Sequence, residues 1–197
     1  MKKEFLDLGK QPIANKFLNE GEFDNEFFFN LKATFDEETK LVSLSEFVKP
    51  EMMFNGDYTY HASMSDTMKN HFKTLAENLQ KEFKPVNVLE IGSNDGIFIR
   101  HFNPDTTIAV EPCDNFADMT FDMGYNTYNS FWDNELSKLI KQDYGTMDLI
   151  YSANCICHVQ DLDDTFTAVG QLLSEDGIFV FEDPSLLKMM ERGSYDQ

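Results

Sequence analysis

The chain has 197 residues, 42% of them hydrophobic, with 35 acidic against 16 basic residues and a formal charge of -19. That length supports one good-sized core plus a small appendage, and a surface so acidic repels phosphate backbones and anionic lipid, which excludes nucleic acid and membrane surfaces as direct partners. No apolar run approaches the roughly 18 residues of a membrane span, the MKKEFLDLGK start has no apolar stretch behind its lysines, and three cysteines cannot close a disulfide framework, so a cytoplasmic protein with reduced thiols is expected. Residues 1–50 are acidic and Phe-rich (Phe23, Phe27, Phe28, Phe29, Phe35), and the alternation in KLVSLSEF predicts one or two strands in a small lobe spanning 1–62. A helix is predicted from Ser65 to Lys84, capped at Ser65-Asp66, with Met68, Phe72, Leu75, Leu79 and Phe83 on one face.

From Pro85 onward short apolar runs alternate with helical stripes. VNVLEIG (86–92), TTIAVE (106–111), MDLIYSA (147–153) and GIFVFED (177–183) read as buried strands, with a weaker one at Tyr125–Tyr128. Between them fall a short helix after Gly96 and longer ones from Asp114 to Met123, Asn134 to Gln142 and Asp161 to Leu173. The last carries Leu162, Phe166, Val169 and Leu173 as its apolar stripe. Strand–helix alternation of this kind gives an α/β, doubly wound, mostly parallel Rossmann-like sheet over 63–197.

The chemistry is concentrated in EIGSNDG, 90–96. A glycine at the strand end permits a sharp turn, a second permits close approach of a ligand, and the helix that follows presents free N–H groups. The dinucleotide fingerprint G-x-G-x-x-G is not met, since Gly92 and Gly96 stand alone. Glu90, two positions before the first glycine, suits S-adenosyl-L-methionine (SAM), whose cationic methionine end needs a carboxylate rather than a phosphate cradle. Glu111 follows Gly92 by 19 residues, ends the second strand in AVEP, and can accept both ribose hydroxyls of an adenosine.

With VLEIGSNDG and AVEP, the segments ANCICHVQDLDDTF, LDLGKQPIANKFL and PEMMFNGDYTYHASMS resemble the SAM-dependent sugar C-methyltransferases that act on nucleotide-linked deoxyhexoses, from about Leu6 to Asp196. The resemblance implies a class I methyltransferase sheet with a small N-terminal lobe. It implies that Glu90, Gly92, Ser93, Asn94, Asp95 and Gly96 line the methionine end of the cofactor and that Glu111 and Pro112 hold the ribose. Tyr58, Tyr60 and Ser63 would close over the cofactor, with Asn154 and His158 facing cofactor and acceptor as the catalytic candidates. His71, midway along its helix, is read as structural.

The chain departs from that family twice. The family's lobe binds a structural zinc through four cysteines; here the first pair is missing and FDEETK stands before Leu41-Val42-Ser43-Leu44, so no metal is expected and the Phe cluster is expected to form the lobe's core. The family's sugar-binding half, with its proton-abstracting base, follows the position of Tyr195-Asp196, and this chain stops at Gln197. GIFVFED would then be an open apolar edge, expected to be covered over 178–182 by a partner chain, a copy of this chain or downstream sequence.

Three readings follow: a SAM-dependent C-methyltransferase of a nucleotide-linked keto-deoxysugar, completed by a second segment or partner; a non-catalytic SAM-binding module or subunit of a split methyltransferase; and a small-molecule methyltransferase with another acceptor. NCICH, 154–158, resembles a ligand cluster but is not read as one. The other thiol, Cys113, ends a strand about 10 Å away at roughly 4.8 Å per strand, and residues at i and i+2 rarely reach disulfide geometry. Cys155 and Cys157 are expected to be small apolar fillers.

Overall fold

The structure, a computed structural model, describes residues 1–194, so Tyr195–Asp196, where the family resemblance ends, lies outside them. The chain divides into two compact units, the first Met1–Tyr60 and the second beginning at His61.

In the first unit β1 (Lys2–Pro12), β2 (Phe28–Asp36) and β3 (Val42–Leu44) form an antiparallel sheet in that order, followed by a short helix α1 (Pro50–Met53). This is one strand more than expected. The extra one, β1, is exposed along almost its whole length and is broken by register shifts at Glu4/Leu6 and Asp7/Lys10, so it carries no clean two-residue apolar period. Charge pairs join it to β2: Lys32 reaches Asp7 at 2.9 Å and Glu4 at 3.3 Å. The Phe cluster does not form the lobe's core, as Phe23, Phe27 and Phe28 are exposed and Ile13, Ala33, Thr34 and Val48 are buried instead. A lone three-stranded sheet in so short a unit offers too little second layer to cover five phenyl rings.

The second unit is a five-stranded parallel sheet of order β6-β5-β4-β7-β8: β4 (Val88–Ile91), β5 (Thr107–Val110), β6 (Asn126–Tyr128), β7 (Met147–Ala153) and β8 (Leu173–Glu182). Strands β4, β5 and most of β7 are buried on both faces, which is why they read as unbroken apolar runs. Side chains alternate between two cores. Val88, Leu149 and Tyr151 pack with Phe72, Ala76 and Leu79 of α2 (Asp66–Phe83) on one face, and Leu89, Ile91 and Ile150 pack with α4 (Asn134–Tyr144) and α5 (Leu162–Leu172) on the other. α3 (Asp114–Asp122) follows β5, burying Phe116, Ala117 and Thr120.

The Ser65 cap forms as expected, its hydroxyl accepting the Met68 N–H, and α2 stops at Lys84 in the left-handed region. Three local expectations change. The helix after Gly96 is only a 3-10 turn, Ile99–His101. β8 begins at Leu173: it pairs once with Met147, loops outward and rejoins the register at Ile178, and Gly177 sits in that loop where a Cβ would lie 2.7 Å from the Met147 carbonyl. In α5 the buried face is Thr165, Ala168, Val169 and Leu172, whereas Phe166 is 43% exposed. Phe166 lies instead over Phe179 and Phe181 of β8, at ring distances of 6.1 and 6.3 Å.

Candidate cofactor site

The chain order of the strands reverses between β4 and β7, and the carboxyl ends on either side of that switch are where an open α/β sheet binds ligands. The turn leaving β4 is built to fit there. Gly92, Asn94 and Gly96 all have positive φ (73°, 47° and 71°), a run that needs glycine or a residue such as Asn. Gly92 and Ser93 N–H groups donate to the Val110 carbonyl of β5 at 2.8 and 3.2 Å, and Gly96 closes on Ser93 at 3.0 Å.

Three other segments pin the loop. Glu111 accepts the Asn94 N–H at 2.7 Å through one oxygen and the Cys113 N–H at 2.9 Å through the other. The run before α2 arrives from the opposite side, with the Ala62 N–H donating to Asn94 Oδ1 at 2.9 Å and the Ser63 N–H to Asp95 Oδ2 at 3.0 Å. Arg100 donates to the carbonyls of Gly96 and Asp95, both at 3.1 Å. Over the top sits Cys155: a Cβ added at Gly92 would lie 3.0 Å from its sulfur, so the first glycine is required by packing as well as by φ.

The electrostatics fit a cation. Glu90 is fully enclosed on the α2 face, and burial first, then the Glu111 and Asp95 charges, hold its carboxyl well above the usual carboxylate range against one N–H from Ile99. Burial likewise raises Glu111, opposed by the Cys113 and Asn94 amides. No lysine or arginine among the described residues pairs with Glu90, Asp95 or Glu111. Glu90 Oε2, Ser93 Oγ and Asp95 Oδ1 are buried without a hydrogen-bond partner. Orphaned acceptors around clustered acids mark a place where an ammonium or sulfonium group would be stabilised, so the residues present fit the methionine end of SAM.

The structure gathers most of the expected site residues. Glu90, Gly92, Ser93, Asn94, Asp95, Gly96 and Glu111 form one connected constellation, and Ser63 joins it through its backbone. Pro112 lies beside it, its carbonyl accepting from Asn129 Nδ2 at 3.2 Å. Tyr58 and Tyr60 belong to the first unit, where Tyr58 packs edge-on to Phe54 at 5.4 Å and Tyr60 is exposed. Asn154, another asparagine in the left-handed region (φ 51°), ends β7 and donates its N–H to the Glu182 carbonyl at 2.8 Å.

His158 follows in a 3-10 turn, Ile156–His158. Its ring has an accessible edge, yet the protein around it lowers its pKa by loss of hydration, with Asp183 opposing. Of the two neighbouring thiols, Cys155 is the filler expected; Cys157 is exposed and is not. The reason is the turn, which points Cys155 back at Gly92 and leaves Cys157 at the rim, its N–H on Asp183 Oδ1 at 3.3 Å. Burial pushes the Cys155 thiol up to about 12, and at Cys157 lost hydration together with the Asp183 carboxylate does the same, too high for a thiolate at neutral pH.

Sequence reasoning passed over His61, Arg100 and Glu182, and read His71 as structural without its Glu182 partner. His61 Nδ1 stands 3.8 Å from Asp95 Oδ2 and packs edge-on to Phe116 at 4.8 Å. A histidine immediately before a capped helix was the available signal for it; Arg100, which works through main-chain carbonyls, left none.

A family profile for methyltransferase domains matches residues 60–195. The chain belongs to that family, and with this sheet it is a SAM-dependent methyltransferase domain of the class I fold. A second profile, for a zinc binding domain, matches residues 1–54. That stretch contains neither cysteine nor histidine, and no group of three or more His, Cys, Asp or Glu among the described residues is placed to hold a metal, so its residues do not fit zinc.

The chain is similar to the C-methyltransferase NovU of Streptomyces niveus, 26% identical over 199 residues, covering 98% of this chain and 47% of that protein. It thus spans about half the length of this curated relative. Among solved structures it resembles the plantazolicin methyltransferase BpumL with a pentazolic desmethylPZN analogue and S-adenosylhomocysteine (SAH), at TM-score 0.52 and 14% identity over 68% of this chain and 54% of that one. It also resembles BamL with a triazolic analogue and SAH, at 0.51 and 17% over 67% and 52%. At these identities the likeness is one of fold.

Proposed function

We propose that this chain is the cofactor-binding part of a cytoplasmic SAM-dependent C-methyltransferase acting on a nucleotide-linked keto-deoxysugar. The observation that carries the reading is the acid cage under the Gly92–Gly96 turn, with its orphaned acceptors at Glu90, Ser93 and Asp95. Methylation at carbon is supported by the similarity to a C-methyltransferase along 98% of the chain, and the nucleotide-sugar acceptor only by the resemblance of the sequence motifs to sugar C-methyltransferases. When bound, SAM supplies a methyl group on a positively charged sulfur.

The chain's own residues hold and orient. Glu90, Gly92, Ser93, Asn94, Asp95 and Gly96 set the negative potential and backbone contour for the methionine end. Glu111, beside Pro112, takes two amides and the Cys113 thiol and turns its remaining acceptor capacity to the ribose hydroxyls. Ser63, bonded through its N–H to Asp95, borders the cofactor. Asn154 and His158 face the acceptor, and a histidine whose pKa is lowered by partial loss of hydration is suited to hold or pass a proton there.

The outer edge of β8 supports a second statement: further chain completes the enzyme. Among the described residues β8 pairs only with β7, and Phe179 and Phe181 stack at 5.2 Å beside it, Phe181 49% exposed. We place a partner chain, a second copy or a further segment over 178–182. Transfer of label from methyl-labelled SAM to a thymidine-diphosphate-linked keto-deoxyhexose, with SAH calorimetry alongside, tests the function. SAH binding without transfer, alone and with the missing segment supplied, would leave a non-catalytic cofactor module; no SAH binding would refute the reading. A monodisperse monomer at high concentration that also binds no separately expressed segment would refute the covered edge.

A further inference from the structure

Glu182 ends β8 and Asp183 follows it, and the two carboxylates do different work. Asp183 faces the His158 turn, as described. Glu182, pointing to the α2 face like Val180 and Ile178 before it, grips His71: its two oxygens lie 2.8 and 3.0 Å from Nε2. The pair is tied to the same rim as the cofactor turn. The Glu182 carbonyl takes the Asn154 N–H, and His71 stands five residues into α2, about 7.5 Å along a helix whose leading residues Ala62 and Ser63 hold Asn94 and Asp95. The support beneath is rigid. Phe72, adjacent to His71, packs edge-on to Phe98 and Tyr151, both at 6.3 Å, and Tyr151 stacks on Phe98 at 3.9 Å. Burial first, and then the Glu182 charge, keep the Tyr151 phenol protonated.

We propose that His71, oriented by Glu182, is an acid–base residue for the acceptor, which deepens the keto-sugar reading above and rests on it. A carboxylate on Nε2 requires the proton at that nitrogen, which fixes the tautomer and leaves the Nδ1 lone pair for a substrate proton. The His71 ring is 43% exposed, so the lone pair can be reached from outside the core. The step balances simply. The proton on the carbon beside the keto group passes to Nδ1, the C–H electron pair moves into the enolate, and Glu182 stabilises the imidazolium formed. Glu182 is the positioning residue, working through His71 as the carboxylate of a catalytic triad works through its imidazole.

The test is wash-in of deuterium from D2O at the carbon next to the carbonyl of a thymidine-diphosphate-linked 4-keto-6-deoxyhexose. It is followed by proton NMR with SAH present and compared with buffer alone. With any separately expressed segment that docks on β8 supplied, wild type is expected to exceed the buffer rate, His71→Gln to lose about 100-fold or more of that excess, at the lower end of what a general base supplies, and Glu182→Gln to lose part of it. SAH affinity should stay within twofold in both variants. Long-range nitrogen NMR should find neutral His71 with its proton on Nε2. Exchange that survives His71→Gln, a wild type no faster than buffer, or a proton on Nδ1 would each overturn the proposal. Failure of wild type to bind SAH would sink the cofactor reading instead, and the two outcomes are read in separate tubes.

Discussion

Glu111→Ala separates two roles that coincide in one carboxylate. The side chain is almost wholly buried and each oxygen accepts one backbone amide, Asn94 at 2.7 Å and Cys113 at 2.9 Å. Hydrogen bonds to a charged acceptor contribute about 1.5–3 kcal/mol each, so truncation removes roughly 3–6 kcal/mol gross. Part returns, because burial already disfavours the Glu111 charge and that charge in turn disfavours Glu90. A net loss of about 2–4 kcal/mol is expected. It can be read by urea denaturation through Trp132, the single tryptophan, which is buried in the same unit.

SAH affinity, read by calorimetry, should fall at least tenfold, about 1.4 kcal/mol, since the turn loses its latch and the ribose its acceptor. Glu111→Gln keeps one carbonyl oxygen and should lose about half as much stability. A variant that destabilises as stated yet binds SAH like wild type would leave the latch standing and remove the ribose role. Stability within about 0.5 kcal/mol of wild type, the range of an inconsequential surface change, would refute the whole argument.

Three further outcomes follow from the same geometry. Gly92→Ala meets both a left-handed φ and the Cys155 sulfur, so it should cost about 2–4 kcal/mol; Cys155→Ala in the same chain should recover on the order of 1 kcal/mol, and strict additivity would show that the contact does not matter. The Glu90 carboxyl is raised in the fold, so its contribution is complete below its ordinary 4.5 and is lost as pH rises toward the folded value. Thermal melts across pH should therefore slope downward in wild type and flatten in Glu90→Gln, an unchanged slope assigning the effect elsewhere. Purified protein should carry no stoichiometric zinc, and a chelator should leave the melting of the first unit unmoved; a chelator-sensitive transition would reverse this.

The parallel sheet was legible because its strands are buried on both faces and so appear as short apolar runs cut by Gly, Asp and Asn. Glycines with a partner acid at fixed spacing exposed the cofactor turn in the same way. What stayed hidden obeys other rules. β1 has no buried face and no period. Phe166 occupies a helical stripe position yet belongs to the sheet edge, because the adjacent buried positions of α5 are filled by Thr165 and Ala168, whose small side chains give little apolar signal. Gly177 marks a bulge only once the register of β8 against β7 is known. His71 and Glu182 are 111 residues apart, and nothing in either local sequence points to the other.

The two halves of the site are therefore built differently. The cofactor half is a matter of main chain: amides, carbonyls and positive φ, all drawn from the strand ends of β4 and β5 and the run before α2. The proposed acceptor half is a matter of side chains at the end of one strand: Glu182 holds His71, and Asp183 accepts the Cys157 N–H of the His158 turn. Among the described residues β8 is paired on one side only, by β7. A strand added on the other would fix the twist of residues 178–182 and with it the aim of the Glu182 carboxylate, so covering the edge and setting His71 would be a single structural event. The cofactor turn, anchored two and three strands away, would not feel it, and SAH affinity should be independent of whatever docks on β8 while proton exchange at the acceptor should not.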